Sequence, residues 1–313
     1  MSMMSDTDPV AQPAPTVQAA AAARTQPFLW SLRRELWEYR SVYIAPLVVA
    51  ALILFGYFIR LWRLPQIVER AQNQPWWKQY VELALPFAIA TAAILVTAVI
   101  VAVFYCLGTL NTERRDRSIL FWKSLPVSDL TAVLAKVCIP LIVIPIVAIV
   151  VALATQLVML GAASAVLSLR GPGPGALWSH WPEAQAVLVL VYLVAIGTLW
   201  YAPIYGWLLM VSAWAKRMTF LWAVLTPIGL SIVEKIAFDT SYVGGLLRFR
   251  LKGFLALAFT EPPHHIENIQ SIDPVALMTP ARFFASPGLW LGLVVAVAFI
   301  AAAVWLRRDR EPV

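Results

Sequence analysis

Six long stretches of this 313-residue chain contain no charged side chain. They cover residues 41–59, 83–112, 137–169, 184–215, 218–233 and 283–306. A helix of about 20 apolar residues crosses a hydrocarbon core of about 30 Å, and a spanning helix satisfies its own backbone hydrogen bonds in lipid. We therefore expect an all-α membrane protein with a six-helix transmembrane domain over residues 41–310. The expected spans lie at about 41–62, 83–110, 132–162, 184–211, 218–238 and 284–306.

The composition fits a bilayer better than water. Hydrophobic residues make up 61% of the chain and charged residues 13%, with a mean hydropathy of +0.76. A net charge of +7 raises the question of nucleic acid, but the basic residues lie mostly in short segments that flank the apolar runs. Basic residues placed there orient a membrane chain. The expected surroundings are membrane lipid, with no nucleic-acid partner.

The distribution of basic residues also predicts an orientation. Six spans place both termini on one side, and 14 of the 24 Lys and Arg residues fall on that side. Basic residues accumulate in cytoplasmic segments. The sequence therefore predicts a multi-pass protein of the inner (plasma) membrane with both termini cytoplasmic.

The N-terminal region divides into two parts. Residues 1–23 are rich in Ala, Pro, Gln and Thr, a composition typical of a disordered tail. Residues 24–40 have helical periodicity, which predicts an amphipathic helix in the membrane interface. Its apolar face would hold Phe28, Leu29, Leu32, Leu36 and Tyr39, its polar face Ser31, Arg34, Glu35 and Glu38, with Trp30 and Trp37 on the border. This helix is either a plain anchor or an elbow that also touches a cytoplasmic partner.

Residues 111–129, between the second and third spans, combine many charges with large apolar side chains. Such a mixture predicts a docking surface, although an ordinary positive-inside loop also fits. Pro126 ends the turn, and Ser128 or Asp129 is placed to cap the third helix. The residues expected to make the contact are Glu113, Arg114, Arg115, Asp116, Arg117, Ile119, Phe121, Trp122, Lys123 and Leu125.

Residues 113–129 read ERRDRSILFWKSLPVSD. This stretch resembles the loop after the second span in permeases of the type-2 ATP-binding-cassette (ABC) exporters, which leads from charged through apolar residues to a Leu-Pro-Val-Ser ending. The resemblance implies a coupling helix that docks in a groove on an ATPase subunit. It further implies two permease copies, homodimeric or heterodimeric, two separately encoded ATPases that bind ATP and Mg, and a translocation route at the permease interface.

Other chemistry has no sequence support. The chain lacks the G-x-x-x-x-G-K-[ST] loop that cradles nucleotide phosphates. His180 is alone, and His264 and His265 are adjacent, a spacing that directs two rings apart. We therefore expect no catalytic, cofactor-binding or metal site in this chain. Two alternative functions are a non-transporting scaffold or sensor subunit and an ion-coupled secondary transporter that uses Glu234. The sequence does not identify a transported substrate, because an apolar route suits lipids, hydrophobic peptides and drugs alike.

Two further features concern shape. The third run contains Pro140 and Pro145, which predict a kink that either lines a pathway or only serves packing. Residues 239–282 form an outer segment that is too apolar for a plain linker, and residues 246–259 within it suit an interfacial or re-entrant helix. That segment either closes the outer end of the route or forms an exterior cap.

Overall fold

The structure, a computed structural model, describes residues 27–115, 128–170, 173, 175–178, 183–260 and 275–309. These residues are mostly helical. The helices are α1 (Pro27–Glu38), α2 (Ser41–Leu61), α3 (Leu64–Gln72), α4 (Trp76–Leu83), α5 (Leu85–Arg115), α6 (Asp129–Cys138), α7 (Ile144–Arg170), α8 (Gly175–Trp178), α9 (Glu183–Trp214), α10 (Thr219–Phe238), α11 (Tyr242–Ala258), α12 (Pro280–Phe284) and α13 (Pro287–Asp309).

Six helices among the described residues are long and apolar enough to cross a membrane, as the sequence predicts. They are α2, α5, the continuous helix Asp129–Arg170, α9, α10 and α13. The continuous helix contains a π-helical turn at Ile139–Val143, where Pro140 follows its first residue. The missing amide hydrogen of proline accounts for the break in the regular α-helical hydrogen bonding.

The bundle is held by close approach of its central helices. α9 packs along α13, and α5 contacts α9, α2 and α7. Gly206 permits the tightest of these approaches, because a Cβ there would lie 3.1 Å from the Ala296 carbonyl oxygen and 3.3 Å from the Phe299 Cβ. Small residues at helix crossings are the usual means of packing without a solvent-driven hydrophobic effect.

Five helix ends meet at one end of the bundle, which we call the α1 end. They are α1 itself, the last turns of α5, α9 and α13, and the first turn of α6. The helix before the first span and the end of the last span therefore lie on the same side. The opposite part of the bundle carries α11 and α12, which pack beside the half of α9 that is remote from the α1 end.

Candidate functional site

α1 turns part of its polar face into the bundle. Glu35 is 2% exposed and Leu32 and Leu36 are half-buried, whereas Trp30 and Trp37 are exposed, with the Arg33 guanidinium over both rings. The sequence pattern assigns Glu35 to the polar face of α1, and the structure buries this side chain against polar partners. The spanning helices supply these partners, which no periodicity within α1 can indicate.

Glu35 is held by three side chains from two other helices. Lys136 of α6 donates from Nζ to its Oε1 at 2.7 Å, and Tyr105 and Thr109 of α5 donate to its Oε2 at 2.8 and 3.2 Å. Lys136, itself 1% exposed, also donates to the Thr109 hydroxyl at 2.8 Å. A buried carboxylate needs such partners, since an unpaired charge in an apolar interior is costly.

Glu113, near the end of α5, is the centre of the arrangement. Its Oε1 accepts from Arg34 at 2.5 Å and lies 3.1 Å from the Lys136 Nζ, while its Oε2 accepts from Arg307 of α13 at 2.8 Å. Three cations from three helices thus surround one carboxylate that is 3% exposed. Glu113 faces the interior of the bundle, away from any free surface.

Arg307 joins the last span to the beginning of α6. Its Nε donates to Asp129 Oδ1 at 3.1 Å while its Nη1 binds Glu113. Asp129 is in the first turn of α6, and the preceding Ser128 caps that helix by accepting from the Thr131 amide at 3.1 Å. Of the two candidate caps, Ser128 is therefore the one observed.

The end of α5 also holds the end of α9. Arg114 donates from Nη1 to the Ala213 carbonyl at 2.6 Å, and the Asn111 side chain donates to the Ala215 carbonyl at 2.6 Å. In the opposite direction, the Ser212 hydroxyl of α9 donates to the Leu107 carbonyl of α5 at 2.8 Å. The bonds to Ala213 and Ala215 satisfy carbonyls that the C-terminus of α9 leaves without intrahelical partners.

We refer to Arg34, Glu35, Glu113, Asp129, Lys136 and Arg307 as the charge cluster. Its three cations balance its three carboxylates, so the charges can be desolvated together. Burial by itself would lower the pKa of the Arg34 guanidinium, but Glu113, followed by Glu35 and Glu38, outweighs it and raises that pKa above its ordinary value. The arrangement suits a rigid connection between α1, α5, α6 and α13 better than proton transfer, because each carboxylate is already bound by cations.

Three of the ten residues predicted to contact an ATPase lie within the described part of the chain. Arg115 is exposed, whereas Glu113 and Arg114 are buried. The remaining predicted contacts lie outside the described residues: Asp116, Arg117, Ile119, Phe121, Trp122, Lys123 and Leu125. Sequence reasoning missed Glu35, Lys136 and Arg307 as members of a site. The one available signal was that charges of opposite sign border the spans at their predicted cytoplasmic ends.

Within the described residues, no three His, Cys, Asp or Glu side chains form a group suited to holding a metal ion. Comparisons of the chain with protein-family models, with curated proteins and with solved structures found no match.

Proposed function

We propose that this chain is the permease subunit of a type-2 ABC exporter and that a separately encoded ATPase drives it. The observation that supports this most directly is the position of the charge cluster. Glu113 and Asp129 lie on the two helix ends that flank residues 116–127, and the cluster joins both ends to α1 and α13. The resemblance of residues 113–129 to the coupling loop of that class supports the same proposal.

A push on residues 116–127 would act first on α5 and α6. Because Lys136 and Glu113 bind Glu35 and Arg34, α1 would move with them. Because Arg307 binds both Glu113 and Asp129, α13 would follow as well. Buried ion pairs with several hydrogen bonds resist separation, so the cluster would transmit displacement to helices far apart in sequence.

The remaining parts of the proposal rest on the resemblance of residues 113–129 and on the distribution of basic residues. α1 and the end of α13 share the α1 end, which we place on the cytoplasmic side of the inner membrane. Two ATPases, holding ATP and Mg, would dock there on residues 115–125, and a second permease copy would complete the route. Trp30 and Trp37, exposed beside Arg33, suit the headgroup region at that side.

The test first identifies a candidate partner, a soluble protein with a Walker loop encoded beside this chain, and reconstitutes the two together in lipid vesicles. We expect the permease to stimulate ATP hydrolysis, and Phe121→Ala with Trp122→Ala to abolish both stimulation and co-purification. The matched control is Trp62→Ala with Phe238→Ala, two exposed aromatic residues remote from the α1 end. Full stimulation by the Phe121 and Trp122 double variant would contradict the proposal.

The same assay separates the two alternative functions. A scaffold or sensor subunit would bind a partner without stimulating ATP hydrolysis in response to substrate. An ion-coupled carrier would transport without ATP and would depend on Glu234. That carboxylate accepts hydrogen bonds from the Tyr242 and Val243 amides and the Thr240 hydroxyl, which gives it the role of capping α11.

A further inference from the structure

Arg250 of α11 is a cation within the bundle that no carboxylate of the described residues neutralises. Its guanidinium lies over the Trp200 ring, 4.5 Å from the ring centroid, and its Nη2 donates to the Gly288 carbonyl at 3.2 Å. Its Nη1 is buried and has no hydrogen-bond partner among the described residues. An Nη group carries two N–H donors, and those of Nη1 are left without an acceptor among the described residues.

The backbone around Arg250 is shaped to admit its side chain. A Cβ on Gly292 of α13 would overlap with Nη2, so the guanidinium occupies the space that this glycine leaves. Trp200 fixes the other side, since its Nε1 donates to the Arg250 carbonyl at 2.7 Å. The cation is therefore held in a defined place between α9, α11 and α13.

The position along α9 places Arg250 at membrane depth. Trp214 ends α9 beside the charge cluster, and the 14 residues from Trp200 to Trp214 span about 21 Å of helix. With a hydrocarbon core of about 30 Å, Arg250 falls in the leaflet opposite the α1 end, about 9 Å from its headgroup boundary. A buried cation there is costly unless it finds a counter-charge, and a lipid phosphate at that boundary is within reach of a long side chain.

α11 itself has the surface of a helix that lies among lipid headgroups. Arg248 and Lys252 are exposed on the face opposite Arg250, beside the exposed Leu251 and Leu255. Basic and apolar side chains on one exposed face suit contact with both the phosphate and the acyl region of an anionic lipid.

We propose that Arg250 binds the phosphate group of an anionic phospholipid, which enters between α11 and α13 and supplies the missing counter-charge. The free N–H groups on Nη1 would donate to the phosphate oxygens, a pairing that guanidinium favours. The acyl chains would lie along the exposed Leu291 and Val295 of α13, which flank Gly292 on that helix. This proposal requires membrane insertion only and does not depend on an ATPase.

The test uses the purified full chain, without ATP or ATPase, in vesicles of phosphatidylcholine with a minor fraction of phosphatidylglycerol. Mass spectrometry of the re-extracted protein measures which lipid it retains. We expect an excess of phosphatidylglycerol on the unchanged protein and a loss of about tenfold in Arg250→Gln, the ratio expected for one charge-assisted hydrogen bond. Arg250→Lys should keep part of the excess.

Two further variants separate recognition from folding and from general surface charge. Gly292→Ala keeps Arg250 but displaces its guanidinium, and we expect it to lower retention as Arg250→Gln does. Arg63→Gln removes an exposed charge near the end of α2, outside α11, and should retain the lipid fully. Equal retention by Arg250→Gln and the unchanged protein, or an equal loss in Arg63→Gln, would overturn the proposal.

A last arm adds inorganic phosphate to the vesicles before extraction. A phospholipid held also by its acyl chains should stay bound, whereas a site for free phosphate would release it. Displacement of phosphatidylglycerol by inorganic phosphate at matched concentration would overturn the assignment of a lipid ligand.

Discussion

Lys136 of α6 and Glu35 of α1 form a buried ion pair with a distance of 2.7 Å between Nζ and Oε1, although 101 positions separate them in the sequence. The pair connects the helix that precedes the first span to the beginning of the third. Neither residue is solvated, so each depends on the other and on the Thr109 hydroxyl. The position of α1 against the bundle is therefore set by charge as well as by apolar packing.

Replacing Lys136 by methionine should destabilise the protein strongly. Glu35 and Glu113 would remain buried with one cation fewer, and removing one partner of a buried ion pair typically costs roughly 3–5 kcal/mol. Thermal unfolding in detergent measures the effect. Lys235→Met is the control, since Lys235 pairs with the exposed Asp239 and with no other carboxylate in the part of the chain that the structure describes, so that its loss should leave the midpoint unchanged.

A second variant tests whether Lys136 and Glu35 are coupled. Lys136→Met with Glu35→Gln removes both charges, so the double variant should lose less stability than the sum of the two single variants. Strict additivity would contradict the direct pairing.

Replacing Arg307 by lysine should weaken the cluster while keeping its charge. A lysine presents a compact ammonium group that cannot reach both Glu113 Oε2 and Asp129 Oδ1 as the guanidinium does. We expect a loss of about 1.5–3 kcal/mol, the value of a hydrogen bond to a charged group, and reduced stimulation of the ATPase in the vesicle assay. The exposed Arg40 at the same end of the bundle, changed to lysine, should alter neither quantity.

Replacing Gly206 by valine should separate α9 from α13. A Cβ at this position already lies 3.1 Å from the Ala296 carbonyl oxygen, and overpacking of a well-filled interior typically costs about 1–3 kcal/mol. Gly229→Val provides the comparison, because nothing lies within 4 Å of a Cβ there. A thermal midpoint that falls equally in both variants would show that the glycine is not needed for the helix crossing.

Replacing Glu234 by alanine should loosen the beginning of α11. The Tyr242 and Val243 amides would lose the acceptors that hold them at 2.7 Å, and the first turn of a helix has no backbone partners for its amides. Hydrogen exchange at residues 242–245 should accelerate. Asp239→Asn, which removes the exposed partner of Lys235, should leave exchange in that turn unaltered.

The sequence carried enough information for the spans because each is a long run without charge. The limits of the helices depend on partners that lie elsewhere in the chain. α5 continues to Arg115, beyond the expected end at residue 110, because Asn111 and Arg114 bind carbonyls of α9 and Glu113 binds three cations. The third spanning helix begins at Asp129 rather than at 132, because Ser128 caps it.

The charge cluster was less accessible to prediction. Glu35 occupies a helix whose sequence pattern assigns it to a polar face, and nothing within α1 indicates that Lys136 and Tyr105 will meet that face. Lys136 and Arg307 have the same local character as any basic residue at the end of a span. Only the three-dimensional arrangement shows which of the border charges are paired and buried.

The π-helical turn at Ile139–Val143 separates two parts of one spanning helix. A π turn accommodates one additional residue, which rotates everything beyond it by about 100° around the helix axis relative to a regular α-helix. The orientation that directs Lys136 at Glu35 is thus independent of the orientation that packs α7 against α2 and α5. The π turn lets the first part of this spanning helix face its ion-pair partners while the second part faces the helices it packs against. A regular α-helix would have to meet both requirements with one rotation about its axis.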